Sequence, residues 1–344
     1  MKQVVVRQFG GPEVLDLIEL PTPQPGNGEV RIALTSIGMN HADLMARRGE
    51  YKLSSGEPPF TPGIEGGGMI DALGAGVTTH QIGQRVILSP EAPRRFNTTG
   101  GMAGTYATHT IVPSQQAFAA PDSIPDNQLG ALWLSYLTAW GCLIWKQRLH
   151  AGQFVGLPAA SSSVAMAAAQ VARAVGAIPI GLTTSTEKVE NLRSLHGNAY
   201  EHIITTHTAE GGSTRWHREI MSLTADHGID VFFDPVAAGE YLNAEIRCLA
   251  AHATIWVYGL LGRPGTVDVS PLIRKHAAIR GWLLNELSAD GGAAAGEGCS
   301  HILDGFSEGI YQQHLARTFS LGDVRHAHEE MERGAHIGKF VLIP

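Results

Sequence analysis

The sequence predicts a mixed α/β protein in two parts, a β-rich first part and a second part built on a doubly wound parallel sheet. Up to about residue 125, short apolar segments alternate with turn signals, a pattern typical of strands. After the proline-bounded segment 121–125, apolar residues recur at helical spacing. Strand and helix patterns then follow each other in turn, which predicts parallel strands joined by helical crossovers.

The individual elements follow from the same patterns. In the first part we expect strands at residues 4–9, 15–19 and 29–37, separated by a Gly-Gly-Pro turn and a proline-rich segment. A helical pattern covers residues 128–146. In the second part we expect strands at 153–157, 178–182, 202–205, 229–234, 254–259 and 278–284, and helices at 165–175, 186–196, 215–224 and 240–248. The small-residue stretch 290–298 is expected to be a linker to a final helix and strand.

The composition excludes several classes of protein. Basic and acidic residues number 25 and 32, so no strongly basic surface for nucleic acid or an anionic membrane is expected. No apolar run approaches the roughly 20 residues that a bilayer requires, and the first residues predict a short strand rather than a signal peptide. The three cysteines, Cys142, Cys248 and Cys299, are too scattered for a disulfide framework. We therefore expect a soluble, cytoplasmic protein whose partner is a small-molecule substrate.

A turn of small residues joins the first strand of the second part to its first helix. At the spacing of the dinucleotide-binding glycines, the chain has Ala159, Ser162 and Ala165. A serine hydroxyl can donate to a phosphate oxygen, and alanine still allows the helix to pack closely on the strand. Two interpretations of the residues remain open, a dinucleotide-binding turn and an ordinary strand–helix junction with a serine N-cap.

Several segments, taken together and in order, resemble the medium-chain dehydrogenase/reductase superfamily, in its zinc-free branch related to NADPH quinone oxidoreductases. These segments are GGPEVL (10–15), GMNHADLMARRGEY (38–51), PGIEGGGMI (62–70), GTYATHTIVP (104–113), LWLSYLTAWG (132–141), AASSSVA (159–165), DPV (234–236) and GKFVL (338–342). The resemblance implies a GroES-like catalytic domain at residues 1–125 and 300–344, interrupted by a Rossmann domain at 126–299. Relatives usually carry glycine where this chain has Ala165.

The resemblance also implies that this chain binds no metal. The positions that hold the catalytic zinc in alcohol dehydrogenases of the superfamily read Asn40, Ile64 and Leu134 here, and no cysteine precedes Cys142. Glu65, the last residue of the corresponding zinc motif, is expected to have a structural hydrogen-bonding role.

The histidines near these motifs are not expected to replace the missing ligands. His41 follows Asn40, and His326 and His328 are two residues apart on a presumed surface helix, where they would face different directions. We interpret all three as solvated or packed side chains.

Without a metal, the acceptor must itself be electrophilic, as a quinone or an α,β-unsaturated carbonyl is. In the matching positions, Asn40 and Tyr51 are candidate hydrogen-bond donors, with Tyr136 and Thr138 along the wall near the nicotinamide. Tyr51 could donate a proton, stack on the substrate or pack between domains, and we favour stacking or hydrogen bonding. Asp43 is expected to orient the loop rather than to react.

The second strand of the Rossmann pattern indicates NADPH rather than NADH. Where NAD-binding domains carry an acid for the ribose hydroxyl, the chain reads Thr183, Thr184 and Ser185, and Lys188 follows in a position to pair with a 2′-phosphate. The alternative makes Glu187 the ribose acid. The expected cofactor contacts are Thr138, Ser161, Ser162, Ser163, Val164, Thr183, Thr184, Ser185, Lys188, Gly259 and Lys339.

Two functions are compatible with these features. The first is an NADPH-dependent, zinc-independent reductase of quinones or enones. The second is a nucleotide-binding redox sensor or binding protein with vestigial reductase activity, and a zinc alcohol dehydrogenase is a distant third. The apolar edge strand at 278–284 further predicts a homodimer, because an exposed edge of this kind must be covered.

Overall fold

The computed structural model describes residues 1–90, 103–208 and 210–344. The chain forms two compact units. The first comprises Met1–Leu134, Leu303–Gly309 and Gln313–Pro344, and the second comprises Ser135–Ile302 and Ile310–Gln312. Within the described ranges, none of the helices has both the length and the apolar character needed to cross a bilayer.

The strands in chain order are β1 (Lys2–Val6), β2 (Leu15–Glu19), β3 (Glu29–Gly38), β4 (Gly67–Leu73), β5 (Arg85–Leu88), β6 (His109–Pro113), β7 (Ala117–Ala119), β8 (Phe154–Pro158), β9 (Ile178–Thr183), β10 (His202–Thr205), β11 (Ile229–Asp234), β12 (Leu249–Val257), β13 (Ala278–Gly281), β14 (Leu315–Ser320) and β15 (Lys339–Ile343). The α-helices are α1 (His41–Arg48), α2 (Lys52–Ser55), α3 (Trp133–Trp140), α4 (Ser163–Ala174), α5 (Thr186–Ser194), α6 (Trp216–Leu223), α7 (Gly239–Arg247), α8 (Ser270–Lys275), α9 (Ala293–Ser307) and α10 (Val324–Arg333).

The first unit is built on a sheet in the order β14-β15-β3-β4-β5-β7, with β6 paired to β3 and with β1 and β2 forming a separate antiparallel pair. Alternate residues of β3, among them Val30 and Ile32, are buried in a core shared with Phe340 of β15. Because β15 pairs with the end of β3, Val341 lies opposite Gly38. This pairing brings the C-terminal strand beside the loop that leads into α1.

The second unit contains a six-stranded sheet in the order β10-β9-β8-β11-β12-β13, in which every pair is parallel. Its core includes Ile180, Phe232 and Ile255, one from each of three strands. The chain moves outward from β8 to β9 and β10, and then returns to β11 on the other side of β8. The carboxyl ends of β8 and β11 therefore flank a topological switch point, where sheets of this kind bind ligands.

The fold class and the six strands of the second unit are confirmed, but several details differ. Residues 128–146 are not one helix, since α3 is followed by a π-helical segment at Gly141–Lys146. The expected linker at 290–298 is wrong, because Leu284–Gly292 is a 3₁₀ helix that leads directly into α9. Gly298 lies so close to Trp140 and Leu137 that a Cβ would overlap them. The small residues there permit close packing rather than forming a loose connection.

Candidate active site

A hydrogen-bonded turn at the start of α1 positions the first group of candidate residues. Asn40 is the N-cap in an extended conformation, and its backbone N–H donates to Oδ2 of Asp43 at 2.8 Å. Oδ1 of Asp43 accepts from the Gly63 N–H at 3.2 Å, so one carboxylate connects this turn to the loop before β4. Burial raises the pKa of Asp43 to about 7, against the lowering effect of the Asn40 N–H. These contacts agree with the expected loop-orienting role.

The side chain of Asn40 belongs to a buried polar cluster within the first unit. Its Nδ2 donates to the Gly38 carbonyl at 3.2 Å and to Oε1 of Glu65 at 3.0 Å. Its Oδ1 accepts from Nζ of Lys339. Both amide hydrogens therefore have acceptors inside the unit, and donation to a substrate by Asn40 would require one of these bonds to break.

Glu65 is the centre of this cluster and forms hydrogen bonds, as expected for this position. Its Oε1 forms an ion pair with Nζ of Lys339 at 2.5 Å, and each side chain is only 1% exposed. Its Oε2 accepts from the Leu134 N–H at 3.1 Å. The segments that carry Asn40, Ile64 and Leu134 are thus adjacent, as the zinc-enzyme resemblance implies. In the described part of the chain, no three His, Cys, Asp or Glu side chains are grouped so that they could hold a metal ion.

The remaining candidates of the first unit are placed differently. Tyr51 is half-buried and lies immediately before α2. His41 is exposed, and the side chain of His326 is 49% exposed. His328 is fully buried, so the description of α10 as a surface helix is wrong for this residue. Burial and the neighbouring Arg47 lower the pKa of His328 to about 3, which makes it a packed neutral histidine.

The turn between β8 and α4 has features of a dinucleotide-binding turn and also of an ordinary strand–helix junction with a serine N-cap. Ser162 caps α4 by accepting from the Ala165 N–H at 3.2 Å. Ala159 has φ +52°, in the left-handed region where a dinucleotide-binding turn places a glycine. An alanine there costs about 1 kcal/mol relative to right-handed backbone. Ser163 and Val164 form the first turn of α4, and Ala165 is buried.

Lys188 connects α5 to this turn. Ser185 caps α5 by accepting from the Lys188 N–H at 3.4 Å, while Nζ of Lys188 donates to Oγ of Ser161 at 3.2 Å. Partial burial lowers the pKa of Lys188. Thr183 is buried at the end of β9, Thr184 is exposed, and Glu187 is exposed in the first turn of α5. The lysine ammonium therefore lies beside the Ser161 hydroxyl, in the turn that follows β8.

Other residues support the same end of the sheet, and of these the sequence did not single out Tyr200. The Tyr200 hydroxyl donates to the Ala160 carbonyl at 2.8 Å, which braces the turn after β8. Asp234, from the DPV segment, accepts from the Val236 and Ala237 N–H groups at 2.6 and 2.9 Å. Burial raises the pKa of Asp234 to about 6. A Cβ on Gly259 would lie 3.0 Å from the Pro235 carbonyl oxygen, so only glycine fits this approach easily.

Tyr136 and Thr138 are buried in α3. The Tyr136 hydroxyl donates to the Gln312 carbonyl at 2.9 Å, and that carbonyl also accepts from Gln170. Burial raises the pKa of Tyr136 above its ordinary value. The Thr138 carbonyl accepts from the indole N–H of Trp282 at 3.0 Å. Tyr136 is therefore held by a buried network, and its phenol is a poor acid.

The architecture and these motifs define an oxidoreductase fold, and comparison with known families agrees. The family described as alcohol dehydrogenase GroES-like domain matches residues 26–122, and the family described as zinc-binding dehydrogenase matches residues 163–294. The chain belongs to the medium-chain dehydrogenase/reductase superfamily. Its two parts are accordingly a GroES-like domain and a Rossmann-like parallel sheet.

Similar proteins include reductases as well as a protein named for its location. The chain is 27% identical to the human synaptic vesicle membrane protein VAT-1 homolog over 100% of this chain and 86% of that protein. It is 27% identical to 2-haloacrylate reductase of Burkholderia sp over 99% of this chain and 98% of that protein. It is 26% identical to human quinone oxidoreductase over 100% of this chain and 98% of that protein.

Solved structures share the fold over the whole chain. An NAD-dependent alcohol dehydrogenase has a TM-score of 0.87 at 27% identity, with 100% of both chains covered. Escherichia coli quinone oxidoreductase, in complex with NADPH, has a TM-score of 0.82 at 22% identity, again with 100% of both chains covered. At that identity, the second comparison shows the fold alone.

Proposed function

We propose that the chain is an NADPH-dependent reductase that acts on quinones or α,β-unsaturated carbonyl compounds without zinc. The observation that carries the proposal is the buried Lys339–Glu65 ion pair, joined by Asn40, at the place where the resemblance puts a zinc site. The Lys339 ammonium balances the Glu65 carboxylate, so this cluster is neutral without a metal cation. Because Ile64 and the Leu134 side chain cannot bind a metal, Lewis-acid activation of a simple ketone is not available there.

A conjugated acceptor fits this chemistry. Reduction of an enone places negative charge on a delocalised enolate, which a neutral hydrogen-bond donor can stabilise. Among the predicted donors, Asn40 and Tyr136 already donate within their own units. Tyr51 is half-buried before a short helix, and we assign its ring the role of stacking on the conjugated acceptor. The proton that completes the reduction comes from solvent.

The edge of the second unit's sheet fits a dinucleotide. The left-handed turn at Ala159 and the N-terminus of α4 present backbone N–H groups, and Ser161, Ser162 and Ser163 add hydroxyl groups for a pyrophosphate. Gly259 keeps the neighbouring strand end free of a side chain. The cofactor, when bound, supplies the hydride. Thr138 and Val164 remain predicted contacts.

Lys188 supports NADPH over NADH. Its ammonium lies beside Ser161, in the turn after β8, where a 2′-phosphate would add about two negative charges and several acceptor oxygens. Glu187 is exposed at the N-terminus of α5, a position that favours a carboxylate without a ligand. A structural neighbour is named as NAD-dependent, so the cofactor preference needs its own measurement. Lys339, also predicted as a cofactor contact, is assigned here to the neutral cluster with Glu65.

A second candidate function is a nucleotide-binding protein with vestigial turnover. The engagement of Asn40 and Tyr136 in buried hydrogen bonds favours it, because these side chains have no further hydrogen to donate.

The two candidates differ in turnover. Purified protein is mixed with NADPH and a panel of quinones and enones, and NADPH oxidation is followed by absorbance. The reductase predicts steady, acceptor-dependent oxidation that scales with protein concentration. NADPH binding without oxidation by any acceptor would support the second candidate and contradict the first.

A further inference from the structure

A chain of buried hydrogen bonds connects α10 to the turn at the start of α1, entirely within the first unit. The Tyr106 hydroxyl lies 3.3 Å from Oδ2 of Asp43, and Nε2 of His328 lies 3.3 Å from the same hydroxyl. Nη1 of Arg47 lies 3.4 Å from Nδ1 of His328, and Nη2 of Arg47 forms an ion pair with Glu332. The four side chains that these hydrogen bonds connect are all buried, namely Asp43, Tyr106, His328 and Arg47.

The direction of each hydrogen bond follows from the donor chemistry. A guanidinium only donates, so Nδ1 of His328 must accept from Arg47. The neutral imidazole then carries its hydrogen on Nε2 and donates to the Tyr106 oxygen. The Tyr106 O–H is left to donate to Asp43. Arg47 cannot release a proton at ordinary pH, so the chain orients its members and does not conduct protons to the surface.

Asp43 transmits this orientation to two loops. Its carboxylate accepts the Asn40 and Gly63 N–H groups as well as the Tyr106 hydroxyl. The side chain of Asn40 belongs to the neutral cluster with Glu65 and Lys339. Gly63 lies two residues before Glu65 in the sequence. A protonated carboxyl group would lose part of its capacity to accept, and three donors on one carboxylate favour its ionised form.

We propose that Tyr106 and His328 are positioning residues of the reductase site, which favour the ionised form of Asp43 and orient it so that it fixes the Asn40 and Gly63 backbones. The proposal rests on the proposed function for its catalytic meaning, but the hydrogen-bond chain exists without a ligand. The other charged groups around Asp43 are Lys339 of β15, which favours the ionised form, and Glu65, which opposes it. Arg47 on α1 and His328 on α10 complete its surroundings.

The test compares full-length wild type with Tyr106→Phe, His328→Gln and His328→Leu. Phenylalanine removes the hydroxyl group that donates to Asp43 and accepts from Nε2 of His328. Glutamine keeps one acceptor for Arg47 and one donor for Tyr106, whereas leucine removes both. Tyr241→Phe, in α7 of the second unit, is the matched control for loss of a tyrosine hydroxyl. Thermal melting identifies any variant that does not fold.

The first measurement needs no turnover. Amide hydrogen exchange at Asn40 and Gly63 is followed by NMR as a function of pH. We expect protection to be lost on the acid side, at a pH about 1 unit higher in Tyr106→Phe than in wild type, because the lost donor favoured the carboxylate. His328→Gln and Tyr241→Phe should retain the wild-type midpoint. An unchanged midpoint in Tyr106→Phe overturns the proposal.

The second measurement is the pH profile of kcat/KM with an accepted quinone or enone. In Tyr106→Phe and His328→Leu, the acid limb of the profile should shift to higher pH. Near neutral pH, kcat should fall about tenfold, while the KM for NADPH stays unchanged. A fall that is equal at every pH would show a merely structural role and overturn the proposal. If wild type shows no turnover, the proposed function fails, and the exchange midpoint still decides whether Tyr106 controls Asp43.

Discussion

Lys188 provides the sharpest test of the proposed cofactor, through the substitution Lys188→Ala. The ammonium lies 3.2 Å from Oγ of Ser161, and partial burial lowers the pKa of the lysine because the charged form is poorly solvated there. A 2′-phosphate beside it would restore a counter-charge. A charge-assisted hydrogen bond of this kind contributes about 1 to 3 kcal/mol, and solvent screening at a half-exposed site favours the lower half of that range.

The expected result is therefore a Kd for NADPH that rises about tenfold, because each 1.4 kcal/mol is a factor of ten. The Kd for NADH should change little, since NADH has no 2′-phosphate, and the NADPH effect should shrink at high ionic strength. Fluorescence titration of both cofactors at two salt concentrations measures this. Lys275→Ala is the matched control, because Lys275 is another partly buried lysine, with its pKa also lowered by burial. An equal loss for both cofactors, or a wild type that prefers NADH, would refute the assignment.

Three further predictions concern stability, metal content and assembly. Both carboxyl oxygens of the fully buried Glu245 have no hydrogen-bond partner among the described residues, and burial raises the pKa of Glu245 well above its ordinary value. The free energy of unfolding should therefore fall as the pH rises above the pKa that Glu245 has in the unfolded chain. In urea titrations, Glu245→Gln should remove this dependence on pH and add about 1 to 3 kcal/mol of stability at pH 8, whereas an unchanged dependence would contradict this. Elemental analysis should find no stoichiometric zinc, and chelators should leave turnover unchanged; one zinc per chain, lost together with activity, would mean that the motif has been misplaced. Light scattering should give twice the mass of one chain, because β13 is the terminal strand of its sheet and exposed Ile273 and Leu283 lie nearby in sequence; a monomer mass would exclude the dimer.

The sequence predicted most reliably what depends on local periodicity. The strands His202–Thr205 and Ile229–Asp234 have the expected bounds, because short apolar runs between turn signals have few alternative structures. Residues 290–298 show the limit of the method, since small residues are typical both of linkers and of closely packed helices. The helix Ala293–Ser307 and the contact of Gly298 with Trp140 distinguish the two cases.

Long-range side-chain pairing was not accessible to the sequence. Lys339 was expected among the cofactor contacts, but its ammonium is bonded to Asn40, 299 positions away in the chain. His328 was interpreted from its helix alone, whereas its partner Tyr106 is 222 positions away. A buried polar side chain is specified by the partner that satisfies it, and that partner is known only when the fold is known.

The left-handed Ala159 is a further feature that only the backbone reveals. A search for glycines passes over this turn, because the sequence keeps small size and not the glycine itself. The observed φ shows that the conformation is retained with alanine. The local strain is about the size of one hydrogen bond, which the surrounding contacts, such as Tyr200 on Ala160, can offset.

The reaction that we propose for this chain is hydride transfer from NADPH to a conjugated acceptor without a metal. The most direct measurement uses chelator-treated protein, NADPH that carries deuterium at C4 of the nicotinamide, and a cyclic enone that is accepted as a substrate. Mass spectrometry and NMR then locate the deuterium in the product. We expect one deuterium on the β-carbon and a solvent-derived hydrogen on the α-carbon. Deuterium at the carbonyl carbon, or turnover that requires added zinc, would contradict it.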